Sequence, residues 1–264
     1  MHFARQFPLA VICELLGLPD EDRPMFAGWA NSFSSVRSLA SMFQVLPSLH
    51  KISRYFREQI RLCRDQPRDG LLSLLVEVEH AGDSLTEAEL TAMGFLLLFA
   101  GHETTAHLIS GGLLTLLNHP QQQAELMSDW TKAEPAVEEL LRFNSPVQST
   151  KPRIAAHDMW FHGQNIKRGQ YLMPILAAAN ADPAQFNDPE RFDINRTPNA
   201  HLGFGTGIHT CLGLRLARME TAIAFERLLT RFPNVELATP RDQVRWTQQI
   251  GLRALQSLPV KLTR

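Results

Sequence analysis

One cysteine, Cys211, stands in the run Phe204-Gly205-Thr206-Gly207-Ile208-His209-Thr210-Cys211-Leu212-Gly213, with three glycines crowded around a single thiol and an aromatic seven residues before it. Glycine tolerates positive φ and lets backbone N–H groups come close to an anion. The periodic run from Leu212 to about Phe232 predicts a helix whose N-terminus lies beside the sulfur, which favours thiolate over thiol. Thiolate is the form that ligates iron or zinc. The pattern suits a cysteine that must reach a large flat cofactor which the backbone also approaches closely. The competing reading is an inert core cysteine on a turn, the usual state of a free thiol.

Composition narrows the setting. With 264 residues, 44% hydrophobic and 20% charged, the chain has the balance of a globular protein with one large core or two small ones. A formal net charge of −1 gives no global attraction for nucleic acid. Cys13, Cys63 and Cys211 are too few and too scattered for a disulfide framework, which points to a reducing cytoplasm. The start, Met1-His2-Phe3-Ala4-Arg5, lacks the basic-then-apolar layout of a signal peptide. The apolar run Met93–Ala100 is broken by Gly101-His102-Glu103-Thr104-Thr105 well short of a bilayer span, so no membrane role is expected.

Periodicity predicts a mainly α chain with small β-sheets. Helices are expected from Pro8 to Leu16, Pro24 to Ser34, Val36 to Leu46, Pro47 to Asp65 and Leu71 to His80. A long one starts near Thr86, where Thr86-Glu87-Ala88-Glu89 reads as a capping box, and runs to about Asn118. Two more follow at Gln121–Trp130 and Pro135–Phe143. Arg153 to Pro174 alternates, with turns at His162-Gly163 and Arg168-Gly169, and reads as strands and hairpins. The expected organisation is one domain over 1–264: mostly helical 1–145, β-rich 150–180, the cysteine loop and its helix 201–232, and a β tail 235–264.

Three other places carry chemistry. In Ala100-Gly101-His102-Glu103-Thr104-Thr105 a glycine and polar residues interrupt a buried helix. A threonine hydroxyl bonded to the carbonyl four residues back loosens the turn, and an adjacent carboxylate can then relay protons. His102 and His107 also suggest a zinc-peptidase pair, but their i, i+5 spacing puts them about 140° apart on a regular helix. Glu139 and Arg142 are adjacent on a helix face, by themselves an ordinary solvated pair. Arg153 opens a strand without an obvious partner. A dinucleotide loop at Gly203–Gly207 is discarded, because Thr210 occupies the third glycine position.

Together these runs resemble the cytochrome P450 family, of the bacterial soluble type. Phe204–Gly213 matches every fixed position of its Phe-Gly-x-Gly-x-His-x-Cys-x-Gly loop, and Ala100–Thr105 matches its Ala-Gly-x-(Asp/Glu)-Thr-(Thr/Ser) helix motif. Glu139–Arg142 is its Glu-x-x-Arg, with Pro189-Glu190-Arg191-Phe192 further on. The resemblance implies a P450 fold and haem b bound by Ala100, Gly101, Arg153, Phe204, Gly205, His209, Cys211 and Gly213, with Cys211 as the iron ligand. Arg153 and His209 would meet haem propionates, with His201 assisting. Glu103 and Thr104 would be the catalytic acid–alcohol pair, and Glu139, Arg142 and Arg191 a structural brace behind the cysteine loop. The role of His102 stays open.

The implied activity is a monooxygenase that hydroxylates or epoxidises a small apolar organic substrate with dioxygen and electrons from a ferredoxin-type partner, which Arg215 and Arg218 would attract. A hydrogen-peroxide-driven peroxygenase or peroxidase, or a non-catalytic haem-binding fragment, are the alternatives. Met1–Arg5 resembles the interior of a P450, so the family's usual N-terminal third is expected to be missing. An open pocket side and self-association through uncovered surface would follow.

Overall fold

The computed structural model describes residues 2–34, 39–80, 85–249 and 251–263, which form two compact units, Met1–Ala106 and His107–Arg264. In the first unit α1 (His2–Leu16) buries Leu9, Ile12, Cys13 and Leu16, the three-and-four spacing of one helix face. It starts upstream of the expected Pro8. Gly17, at φ 73°, ends it: the Gly17 N–H donates to the Glu14 carbonyl and the Leu18 N–H to the Cys13 carbonyl, both at 2.9 Å. Packing demands glycine there too. A Cβ on Gly17 would sit 2.2 Å from the Asp69 carbonyl oxygen, and one on Gly70 2.5 Å from the Gly17 nitrogen, so the Asp69-Gly70 turn docks on the end of α1.

A 3₁₀ turn at Asp20–Asp22 leads into α2 (Arg23–Ser34), followed by α3 (Leu39–Asp65), α4 (Leu71–His80) and α5 (Glu87–Asn118). The two helices expected around Leu46 and Pro47 are one, with Pro47 inside α3; the expected start at Val36 lies outside the described residues. Proline in a helix interior costs about 3 kcal/mol, but continuing the helix keeps Ile52, Phe56, Ile60 and Cys63 on one buried face. They join Phe26, Leu72, Leu90 and Leu98 in the core of this unit. The capping box forms as expected: the Thr86 N–H donates to Glu89 Oε2 at 2.7 Å and the Glu89 N–H to Thr86 Oγ1 at 3.3 Å.

The second unit begins with the C-terminal part of α5 and continues through α6 (Pro120–Ser128), a 3₁₀ turn at Trp130–Lys132 and α7 (Ala133–Asn144). Three antiparallel two-stranded ribbons follow: β1 (Arg153–Ile154) with β4 (Tyr171–Leu172), β2 (Met159–Phe161) with β3 (Gln164–Ile166), and β5 (Glu236–Leu237) with β6 (Val260–Lys261). The β2–β3 turn is His162-Gly163, with φ of 44° and 79°, the positive pair that a tight hairpin needs. A short α8 (Leu176–Ala179), unforeseen from periodicity, and α9 (Leu214–Arg231) complete the helices. The α9 helix packs on α6 and α7. The fold class is as expected, mainly α with small β-sheets. Among the described residues no helix is long and apolar enough to cross a membrane.

Candidate functional site

The cysteine loop is built by its glycines. Gly205 and Gly207 take φ of 69° and 68°, conformations other residues avoid. These let the chain turn back, so that the Cys211 N–H donates to the Phe204 carbonyl at 2.8 Å and closes the loop. A 3₁₀ turn spans Gly207–His209, and the Thr210 hydroxyl bonds the Gly207 carbonyl at 2.8 Å. The helix starts at Leu214, with Gly213 as its N-cap, rather than at the expected Leu212. Cys211 is an exposed free thiol. Ile208 and Leu212 on either side are 98% and 85% exposed, an arrangement that presents apolar surface around the sulfur.

Two expected anion-binding residues come together at this loop. Arg153 Nη1 lies 3.5 Å from His209 Nε2, fifty-six positions apart in sequence, and both side chains are exposed. His201 does not join them, which corrects the expectation that it assists. Its Nδ1 accepts the Gly203 N–H at 3.0 Å, so Nε2 carries the proton and donates to Glu138 Oε2 at 3.1 Å, inside the protein. A thiol for iron, apolar side chains for a flat ring and an arginine beside a histidine for carboxylates are the donor set of an iron porphyrin, and these residues fit it.

Behind the loop the brace forms, with one change. Glu139 is wholly buried and accepts from Arg142 Nε at 2.7 Å and Nη2 at 2.8 Å. Arg196 Nε bonds both oxygens of that carboxylate, at 3.1 and 3.2 Å. The Asp193 N–H and Asn199 Nδ2 add bonds at 3.0 and 3.2 Å. Arg191 was the expected third member, but its side chain is 66% exposed and lies 3.6 Å from Asp193. It contributes only its carbonyl, to Arg142 and Arg196. Asn180 ties this region to the cysteine loop: its Oδ1 accepts the Leu202 N–H at 2.7 Å and its backbone carbonyl accepts Arg142 Nη1 at 2.9 Å.

Sequence reasoning missed Glu138. Burial alone would push its carboxyl up, but hydrogen bonds from Arg218 and His201 outweigh that and hold it at about 2. Arg218 is therefore committed to Glu138, not free to attract a partner as expected, while Arg215 is exposed. The neighbouring Glu138-Glu139 pair was the only sequence signal, and it does not reveal which cation each carboxylate takes.

In the first unit the α5 motif has the expected local bonding. Thr104 Oγ1 donates to the Ala100 carbonyl at 2.9 Å and Thr105 Oγ1 to that of Gly101 at 3.2 Å. Glu103 is half-buried and Ala100 exposed. Gly101 was expected to open room over a cofactor. On the α1 side a Cβ at this position would lie 3.1 Å from Ile12, a tight contact that the isoleucine side chain would have to yield to by a few tenths of an ångström. His102 is buried and donates from Nδ1 to the Leu98 carbonyl at 2.7 Å. Among the described residues no group of three or more His, Cys, Asp or Glu is placed to hold a metal ion between them.

Comparison with known proteins follows the same lines. Residues 40–262 match the family model described as Cytochrome P450. The chain is 43% identical to "Polyketide biosynthesis cytochrome P450 PksS" of Bacillus subtilis (strain 168), covering 99% of this chain and 64% of that protein. It is 39% identical to "Mycinamicin IV hydroxylase/epoxidase" of Micromonospora griseorubida, covering 98% and 65%. Among solved structures, that of the Bacillus subtilis 168 PksS superposes with a TM-score of 0.94 at 42% identity, covering 99% of this chain and 67% of the other. P450BioI in complex with an acyl carrier protein ligated to hexadec-9Z-enoic acid gives 0.92 at 39%, covering 99% and 67%. The chain thus spans somewhat under two thirds of the length of these curated relatives.

Proposed function

From the premise that this chain belongs to the cytochrome P450 family, we propose that it acts as a haem-thiolate monooxygenase, hydroxylating or epoxidising a small apolar organic substrate. The observation that carries the reading is the closed loop presenting an exposed Cys211 between Ile208 and Leu212, with Arg153 and His209 side by side. Haem b, when bound, supplies the activation of dioxygen and the insertion of one oxygen atom into the substrate. Cys211 provides the sulfur ligand, Arg153 and His209 hold the carboxylates, and Phe204, Gly205 and Gly213 shape the loop beneath the ring. Ala100 and Gly101 belong to the oxygen-side helix. There Glu103 moves protons and the Thr104 hydroxyl, now donating to the Ala100 carbonyl, passes them on by rotating away from it. The brace of Glu139, Arg142 and Arg196 holds the loop from behind.

The names of the relatives, a polyketide-biosynthesis P450 and a mycinamicin hydroxylase/epoxidase, support an apolar organic substrate. Electrons come from a ferredoxin-type donor, with Arg215 as an exposed cation in the first turn of α9. Free cysteines agree with the cytoplasm. Ile154, Trp160 and Tyr171, all more than 60% exposed on the small ribbons, supply a surface for self-association. The test is the reduced carbon-monoxide difference spectrum of wild type and Cys211→Ala. A Soret band at the thiolate-ligated position, absent from the variant, is the expected result. An identical spectrum in both would refute the reading.

A further inference from the structure

Glu138 and Glu139 are consecutive on α7, yet their carboxylates anchor different segments. Glu139 holds Arg142 and Arg196, whereas Glu138 takes the fork of Arg218 from α9, with Nε at 2.7 Å and Nη2 at 2.8 Å. Two parallel charge-assisted bonds fix a guanidinium in angle as well as in place. So held, the Arg218 guanidinium carbon lies 4.9 Å from the centre of the Phe204 ring, within cation–π range. Phe204 is the residue whose carbonyl closes the loop onto the Cys211 N–H. A line of direct contacts therefore runs from α7 through Arg218 and Phe204 to the cysteine. The His201 ring also lies near, its centre 6.1 Å from that of Phe204.

Charge follows the same line. The Glu138 hydrogen bonds hold the Arg218 guanidinium above its usual value against a burial cost, and the charges of Glu138, Glu134 and Cys211 add smaller contributions. Arg218 follows Cys211 by seven positions and lies in the second turn of α9, which starts at Leu214.

Resting on the haem-thiolate reading, we propose that Arg218 is a positioning residue for the iron ligand: clamped by Glu138, it pins the Phe204 end of the loop and offsets the negative charge of the sulfur. Reduction of the iron adds an electron, so a nearby cation favours the ferrous state and a nearby anion disfavours it. The two halves of the clamp therefore pull the potential in opposite directions.

The experiment is a spectroelectrochemical titration of the haem-loaded protein. Arg218→Gln should lower the ferric/ferrous midpoint by about tenfold in the equilibrium, about 59 mV for one electron. Glu138→Gln, which leaves the guanidinium uncompensated, should raise it. Arg218→Lys keeps the charge without the fork, and should stay nearer to wild type than Arg218→Gln. A loop merely loosened would shift both glutamine variants the same way. That outcome, or an unchanged midpoint in Arg218→Gln, overturns the inference. If Arg218→Gln does not fold, Glu138→Gln decides: a raised midpoint supports the proposal and an unchanged or lowered one sinks it. Wild type lacking the thiolate-ligated Soret band would instead bring down the monooxygenase reading, and this proposal with it.

Discussion

The sharpest stability prediction contrasts two arginines five residues apart. Arg196 donates from Nε to both oxygens of Glu139, from Nη1 to the Asn187 carbonyl at 2.7 Å, and from Nη2 to the carbonyls of Asp188 and Arg191 at 3.2 and 2.7 Å. Its side chain is only 10% exposed. In Arg196→Ala, Glu139 keeps Arg142, so the full cost of an orphaned buried charge, about 3–5 kcal/mol, is not incurred. What goes is one hydrogen-bonded contact to a charged group, about 1.5–3 kcal/mol, and carbonyl bonds of about 0.5–1.5 kcal/mol each that water partly replaces. The loss should be about 3–4 kcal/mol, which lowers Tm by roughly 8–12 °C in a chain of this size. Arg191→Ala removes an exposed side chain while the carbonyl stays, and should remain within about 0.5 kcal/mol. Thermal unfolding followed by circular dichroism measures both. Equal destabilisation, or a larger loss for Arg191→Ala, would show that the brace is misassigned.

Burial pushes the Glu220 carboxyl up to about 7, and among the described residues neither oxygen has a hydrogen-bond partner. The folded state then holds this proton more tightly than the unfolded chain, so stability should be greatest below the ordinary value of 4.5 and fall by about 3 kcal/mol as pH rises through 7. Glu220→Gln should flatten that slope in urea titrations at pH 5 and 8, and an unchanged slope would count against it. Gly112→Ala should cost about 1–3 kcal/mol by overpacking, since the new Cβ would lie 2.8 Å from Phe225 Cζ and 3.3 Å from Leu140 Cδ1; a neutral effect in chemical denaturation would mean that Phe225 yields. Replacing Trp160 and Tyr171, each 73% exposed, by Ser should shift size-exclusion elution toward monomer, and no shift would leave the ribbons out of any self-association.

Features written within a few residues were legible in the chain. The Thr86–Glu89 cap, the His162-Gly163 hairpin, the glycine-built loop around Cys211 and the Glu139–Arg142 pair each depend on spacing inside one turn, where backbone geometry leaves few choices. Partners drawn from distant segments were not. That Arg196 rather than Arg191 faces Glu139, that His201 turns inward, and that Arg218 is bound to Glu138 depend on how the 187–204 segment and α9 lie against α7. Likewise Pro47 stays within a helix because a buried face downstream outweighs a local penalty. Local torsion preferences are carried residue by residue in the chain. Which of several equivalent charges is buried is decided only when packing removes one of them from water, and that choice belongs to the tertiary structure.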